Sequence, residues 1–333
     1  MFRESLSFED VLLVPKRSNI RSRKEIDLTS KMAGTEYTLP IISSPMDTVT
    51  ESAMSITMRE RGGLGVVHRY CSIEEQCKMI SSGLVDAAAV GVSGDFEERV
   101  DSLIEYGMKT VCVDVAHGHH SMMESALKLL KDKYGNNLTV IAGNVATPEG
   151  FKDLSDWGAD AVRVGIGGGS ICSTRIQTGH GMPTFQSILD CRDVDTDASI
   201  IADGGIKKAG DIVKAFAAGA DFVMLGSMLA GTDETPGQVF VSNDNKKYKV
   251  YRGMASVEAQ VDWRGEARSL EGVSTTIPYK GGVVKILHDL EQNIRSGLSY
   301  SGARSIKELQ AVASFIRQTN ASMVESSTHI LNG

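Results

Sequence analysis

No two cysteines of this chain stand at metal-binding or redox spacing. There are five, Cys71, Cys77, Cys112, Cys172 and Cys191. An odd count without a CxxC pair argues against a disulfide framework and against a structural zinc site. Long apolar runs are missing too. Nothing approaches the length of a membrane span, and the opening MFRESLSFEDVLLVPKRS has no apolar core of signal-peptide size. A reducing, cytoplasmic setting is therefore expected, with no membrane partner. A basic surplus is absent, since the formal net charge is -7, which speaks against nucleic acid as a partner. An anionic ligand would need a local site of glycine amides and a few arginines. Aromatics make up 6% of the chain against 34 glycines, so many glycines must serve tight turns or close approach of a ligand. The G-x-G-x-x-G fingerprint is absent after the first strand, which counts against an open dinucleotide-binding sheet.

What remains is a pattern. The chain has 333 residues, 41% of them hydrophobic, a size and composition that suit one decorated α/β barrel. Eight short apolar, β-branched runs recur: 40–43, 64–68, 87–92, 110–115, 138–145, 161–167, 199–205 and 222–227. Segments of helical period separate them, as in 51–61, 96–106, 121–134 and 209–218. Ser72 with Glu75, and Thr147 before Pro148, read as helix starts. Gly83, Gly107, Gly135, Gly158 and Gly219 read as helix ends. Uninterrupted alternation implies a parallel sheet, and eight units imply a closed (β/α)8 TIM barrel. One catalytic domain over 1–333 is expected. Residues 230–281 break the pattern with polar stretches and read as an active-site flap. Two further helices are expected over 283–297 and 305–315. The polar tail 318–333 reads as frayed unless a neighbouring subunit holds it.

In such a barrel the chemistry sits at the carboxyl ends of the strands. Asp114-Val115-Ala116-His117 follows the fourth, Gly143-Asn144 the fifth, and Gly165 to Arg175 the sixth. Asp203-Gly204-Gly205 follows the seventh and Gly226-Ser227 the eighth. The sixth loop, with four glycines (Gly165, Gly167, Gly168 and Gly169) and then Ser170 and Cys172, places a thiol where a substrate reaches it, and Arg175 nearby would favour its thiolate. The other four cysteines read as buried and inert. Strands seven and eight offer backbone amides for a phosphate, and Asp203 suits ribose hydroxyls. His117, His119 and His120 read as a solvated helix start rather than a metal cluster. Glu74-Glu75 and Lys246-Lys247 read as solvated faces.

Four ordered motifs then become specific. Ser43-Ser44-Pro45-Met46-Asp47-Thr48-Val49, Gly169-Ser170-Ile171-Cys172, Ala202-Asp203-Gly204-Gly205-Ile206 and Tyr251-Arg252-Gly253-Met254 together resemble the IMP dehydrogenase and GMP reductase family, from Phe8 to the tail. The resemblance implies a tetramer and a covalent bond between Cys172 and C2 of a purine nucleotide. Thr174 and Glu271 would share proton transfer. Ser170, Asp203, Gly204, Gly205, Gly226, Ser227, Gly253, Met254, Arg268 and Gly272 would hold the nucleotide. Asp114, Val115, Ala116, Ile166, Gly167 and Arg69 would line the cofactor pocket, with Ser22 and Arg23 reaching in from another subunit. Carbonyls around Gly167, Gly169, Cys172 and Arg175 would hold a potassium-like cation.

Between Met254 and Glu271 the chain is short and carries no Arg-Tyr pair, and no regulatory insert separates Gln76 from Ala87. Both features resemble the reductase branch, as do Asp114-Val-Ala-His-Gly and Thr178-Gly-His-Gly. That branch implies reductive deamination of GMP to IMP and ammonia with NADPH. Ser44-Pro45-Met46-Asp47, His68-Arg69 and Glu325-Ser326-Ser327 resemble the dehydrogenase branch, which implies oxidation of IMP to XMP with NAD. A non-catalytic nucleotide-binding barrel is a third expectation, and intact Cys172, Thr174 and Glu271 stand against it.

Overall fold

The computed structural model describes residues 3–267 and 271–326. All eight expected runs are strands: β1 (Ile41–Ser43), β2 (Leu64–Gly65), β3 (Ala87–Val90), β4 (Thr110–Asp114), β5 (Thr139–Val145), β6 (Ala161–Val164), β7 (Ser199–Asp203) and β8 (Phe222–Leu225). They pair in parallel and in chain order, with β8 returning to β1. Closure between β2 and β3 runs through Val67, whose N–H donates to Ala87 O at 3.1 Å and whose carbonyl accepts from Ala89 N at 2.9 Å. The result is the (β/α)8 barrel that the alternation requires.

The period of two splits each strand between two apolar masses. Ile42, Ala87, Ala89, Cys112, Ile141, Ala161, Ile201, Phe222 and Met224 pack inside the barrel. Their neighbours Ile41, Ala88, Val111, Val113, Val162 and Val164 pack outward against the helices. A hairpin of 30–32 and 35–37 plugs the amino end: Met32 joins the inner cluster and Tyr37 meets Phe222 edge-on at 5.5 Å.

Helices α1 (Ser52–Glu60), α2 (Ile73–Ile80), α3 (Phe96–Glu105), α4 (Ser121–Tyr134) and α5 (Pro148–Asp156) follow the first five strands. The short α6 (Thr174–Thr178) and α7 (Thr184–Cys191) follow β6, and α8 (Ala209–Ala218) follows β7. The expected starts hold. Ser72 and Glu75 form a reciprocal capping box, and the Thr147 side chain accepts from Gly150 N. All five glycines expected at helix ends have positive φ.

The stretch after β8 is more ordered than its polarity suggests. It forms an antiparallel ribbon, β9 (Phe240–Val241), β10 (Lys247–Arg252) and β11 (Ser274–Pro278), with α9 (Val257–Arg264) between the last two strands. α10 (Val283–Tyr300) and α11 (Ile306–Val312) complete the outer layer. The expected helix over 305–315 stops at Val312, because Phe315–Arg317 instead pairs with Val11–Leu13 in an antiparallel strand. The tail is likewise not frayed where it is described: Gln318 N donates to Asp10 O at 2.8 Å, and α12 (Asn320–Glu325) follows. Ser327 of the dehydrogenase-like tail motif lies outside the described residues.

Candidate active site

The carboxyl ends of the strands surround a cleft of about 450 Å³. A larger groove of about 970 Å³ lies at the amino end, beside Lys31, Arg192 and Lys307. It is far from every strand end that carries chemistry, and its polar groups pair among themselves, as Lys307 does with Asp221 at 2.8 Å.

Close packing of glycine builds the cleft. Gly165 has φ +148°, and a Cβ there would sit 2.0 Å from the Asp203 carbonyl oxygen. No side chain fits, so β6 and β7 meet and the loop carrying Cys172 starts over the barrel mouth. Its end is sewn to the flap. Cys172 N donates to Gly169 O at 3.1 Å, Ser173 N to Glu271 O at 2.9 Å and Val273 N to Ile171 O at 3.1 Å. These bonds put three side chains in line. Cys172 Sγ lies 3.2 Å from Thr174 Oγ1, which donates to Glu271 Oε2 at 2.8 Å. A nucleophile, a hydroxyl and a carboxylate thus form one hydrogen-bonded chain along which a proton can move.

Three of the remaining cysteines are buried as expected, while Cys71 is only half-buried. Cys77, Cys112 and Cys191 are buried and all four are free thiols. Burial pushes Cys71 to about 11 and Cys112 and Cys191 to about 12, and it also raises Cys77. None of them is a thiolate near neutral pH.

Beneath Cys172 lies a charged floor. Arg163 of β6 is 7% exposed. It bonds Asp203 Oδ2 through Nε at 3.1 Å and Nη2 at 2.8 Å, and its Nη1 donates to Asp114 Oδ1. Burial works against its charge, but the two carboxylates more than offset that and keep it protonated. Asn144 Nδ2 adds a third bond to Asp203 Oδ2 at 2.7 Å. At the other end, the Tyr251 hydroxyl meets Ser170 and Ser227, and burial raises its phenol above the ordinary value. With the amides of Gly205, Gly226 and Ser227, this is a cradle for an anionic head group.

The roof comes from the flap. Arg252 is held by Asp47 at 2.7 Å and by Asp262 of α9, which joins two of the sequence motifs. Trp263 of α9 stacks on Tyr70 at 4.3 Å and 14°. Arg69 lies 5.3 Å from the Tyr70 ring and 5.6 Å from the Trp263 ring, and Arg264 lies 4.5 Å from the latter. Arg69 Nε is buried without a hydrogen bond, an unspent donor beside stacked aromatics that fits a dinucleotide cofactor.

The nucleotide-binding residues expected from sequence line this one cleft, except Arg268, which lies outside the described residues. Arg69, Asp114, Val115, Ala116, Ile166 and Gly167 line it as well. Ser22 and Arg23 do not. They form a single turn over Arg23–Glu25, where Ser22 caps Lys24 N, outside the cleft of their own subunit. The Arg175 guanidinium is turned to the loop backbone rather than to the Cys172 thiol. The residue's carbonyl accepts from Gly179 N and its guanidinium donates to Met182 O at 2.8 Å, so both hold the loop. The carbonyls of Gly167, Gly169, Cys172 and Arg175, expected to hold a cation, lie on this same loop, and that of Gly169 also accepts from Cys172 N. Among the described residues no cluster of three or more His, Cys, Asp or Glu offers a metal site. His120 caps α4 and His119 pairs with Asp153 at 2.8 Å, in line with a helix start.

The sequence singles out Asn144 only as a residue at a strand end, and it gives no role to Arg163, Tyr70 or Trp263. Arg163 had a visible signal, a lone charge inside Ala161-Val162-Arg163-Val164.

A barrel whose loop cysteine, hydroxyl–carboxylate relay and anion cradle share one cleft belongs to the class of nucleotide-processing (β/α)8 enzymes. The comparisons refine this. The family model for the IMP dehydrogenase / GMP reductase domain matches residues 5–329. The chain belongs to that family, a family of oxidoreductases. It is 33% identical to an inosine-5'-monophosphate dehydrogenase of Nitrosopumilus maritimus, covering 98% of each chain. It is 32% identical to a GMP reductase of Leishmania major, covering 98% of this chain and 97% of the relative. Among solved structures it is similar to a cysteine-to-alanine variant of GMP reductase from Trypanosoma brucei in complex with guanosine 5'-monophosphate. The TM-score is 0.93, with 30% identity and 98% of each chain covered.

Proposed function

We propose that this protein is a GMP reductase that converts GMP to IMP and ammonia with NADPH. The observation that carries the reading is the chain Cys172–Thr174–Glu271 under a roof whose 254–271 segment holds no tyrosine. The phosphate lies on Ser170, Gly205, Gly226 and Ser227 beside Tyr251. The ribose hydroxyls bond Asp203 Oδ1, which has no hydrogen bond among the described residues, while the base lies against Gly253 and Met254. Cys172 attacks C2. Thr174, backed by Glu271, delivers the proton with which ammonia leaves, and a thioether-linked purine cation remains. Reduction at C2 by hydride is the chemistry that a bound NADPH supplies. Collapse of the adduct then expels the Cys172 thiolate and releases IMP.

Asp114, Val115 and Ala116 would hold the nicotinamide, with Arg69 and Tyr70 beside it. Carbonyls of Gly167, Gly169 and Cys172 would hold a monovalent cation and so order the loop. The covalent intermediate is one that water could also attack. A dehydrogenase activates that water, whereas a reductase keeps it away, and the short roof without an Arg-Tyr pair suits the second task. The assembly would be a homotetramer in the cytoplasm.

One observation favours a second reading, oxidation of IMP to XMP with NAD: a relative named inosine-5'-monophosphate dehydrogenase, from Borreliella burgdorferi, is 35% identical over 98% of this chain.

A paired assay of nicotinamide absorbance separates the readings. GMP with NADPH in one cuvette should show oxidation with release of ammonia. IMP with NAD and potassium in the other should stay silent. The reverse pattern would make the dehydrogenase reading correct. Silence in both would leave a binding barrel.

A further inference from the structure

The top inward layer of the barrel contains a connection that these chemical steps do not use. On β6, Ala161 faces inward while Val162 and Val164 face outward, so the strand period turns Arg163 inward at the barrel mouth. Its guanidinium reaches both ways. Toward β7 it meets Asp203 Oδ2, at 3.1 and 2.8 Å. Toward β4, two strands away, it meets Asp114 Oδ1. That second reach crosses β5 above Gly143, where a Cβ would lie 2.6 Å from Arg163 Cβ and 2.9 Å from its carbonyl oxygen. Glycine at 143 is what leaves the passage open.

We propose that Arg163 is a positioning residue that couples the ribose subsite at Asp203 to the nicotinamide subsite at Asp114, so that nucleotide and cofactor bind cooperatively. The proposal rests on the subsite assignments given above. Two carboxylates share one rigid fork of donors. A ribose that fixes Asp203 through its free oxygen fixes the guanidinium, and the guanidinium then holds Asp114 in one place for the second ligand. Lysine, with a single nitrogen, cannot serve both carboxylates in this way. Linkage makes the effect reciprocal: each ligand tightens the other by the same factor.

The test is calorimetric titration of GMP with and without saturating NADP+, a pair that binds without turnover, in the wild-type enzyme and in Arg163→Lys. The wild type should bind GMP about tenfold tighter with NADP+ present, and NADP+ about tenfold tighter with GMP present. In Arg163→Lys both ligands should still bind, with the ratio reduced to within about twofold. General loosening of the floor would weaken both affinities and leave their ratio intact, so an unchanged ratio overturns the proposal. A wild-type ratio of one with both ligands bound also overturns it. If Arg163→Lys does not fold, Asp114→Asn takes its place, since it cuts one ion pair and leaves Arg163 on Asp203; the ratio must collapse there too. Should the protein instead oxidise IMP with NAD, the same ratio must appear with IMP and NADH, which likewise bind without turnover, and the functional reading alone fails. Binding of neither nucleotide sinks both.

Discussion

The floor and the roof of the cleft are built on different terms. The floor stands on strand ends. Asp114, Asn144, Arg163 and Asp203 come from four adjacent strands and bond one another, with the barrel's inner core directly below. The roof is the flap, attached through the Asp47–Arg252–Asp262 ion pairs, the Tyr70–Trp263 stack and the backbone bonds around Glu271. A floor cross-braced in this way holds a substrate in one pose. A roof held by a few side chains costs less to lift than a strand end, and in a lid of that kind length and composition govern the access of water. One barrel can therefore host two reactions that differ in what sits above the purine.

The first prediction is the harshest test of a chemistry divided between the two. Cys172 belongs to the loop where floor and roof meet. Cys172→Ala should lose covalent adduct, followed by mass spectrometry of protein mixed with GMP, and turnover should fall by several powers of ten. An adduct that survives would move the nucleophile elsewhere. The second acts from the roof side. Glu271→Gln keeps the hydrogen bond from Thr174 but cannot take its proton. Ammonia release should slow by about a hundredfold to ten-thousandfold, more than hydride transfer does, in single-turnover traces that read the two steps separately. Normal deamination in that variant would sink the relay. The third touches the roof alone. Trp263→Ala removes a stack worth about 1 kcal/mol, so closure should weaken and kcat/KM for the nicotinamide should fall about fivefold. Thermal stability should stay where it is, because Trp263 packs against no part of the core. A drop in melting temperature would show that roof and floor are not separable.

The same division governs what the sequence makes readable. Floor strands such as Ala87–Val90 and Phe222–Leu225 are buried on both faces, so they must be continuous apolar runs, and their ends carry the glycines and acids that chemistry needs. The roof ribbon pairs Lys247–Arg252 with Ser274–Pro278 across an intervening helix, and neither strand shows an apolar alternation, because the inner face of the first carries the buried Lys249 and the second has no buried residue. Pairing across such a distance leaves no local signal. The same holds for Phe315–Arg317, whose partner lies at the other end of the chain. Cys172 is legible from its glycine-rich loop at a strand end, whereas Thr174 and Glu271 are legible only through the family resemblance, since Glu271 reaches Thr174 only once the flap folds back. Arg163 was overlooked for the opposite reason: it sits inside a run that reads as core, and its meaning depends on acids from two other strands.

The smallest expected effect tests whether the floor is also braced from outside the barrel. Before β1, a turn over Phe8–Asp10 packs Phe8 on Phe185 at 5.7 Å, and a Cβ on Gly205 would come within 3.8 Å of the Phe8 ring. Lys214 Nζ fixes the Phe8 carbonyl at 2.8 Å. Asp10 closes the turn by accepting from Ser7 N and Ser7 Oγ, both at 2.7 Å, and these two bonds hold its carboxyl below the ordinary value. A carboxylate depressed in the folded state stabilises the fold above its unfolded pKa of about 3.9, and that contribution disappears as pH falls through the lower folded value. Ser7→Ala removes one of the two donors. The melting temperature of the variant should therefore lie slightly below that of the wild type from about pH 5 upward, and the gap should close as the pH approaches 2. Because the turn lies behind Gly205 and away from the flap, kcat should not change with it. A gap that persists undiminished in acid would mean that Ser7 acts through packing, and the floor would then owe nothing to the charge on Asp10.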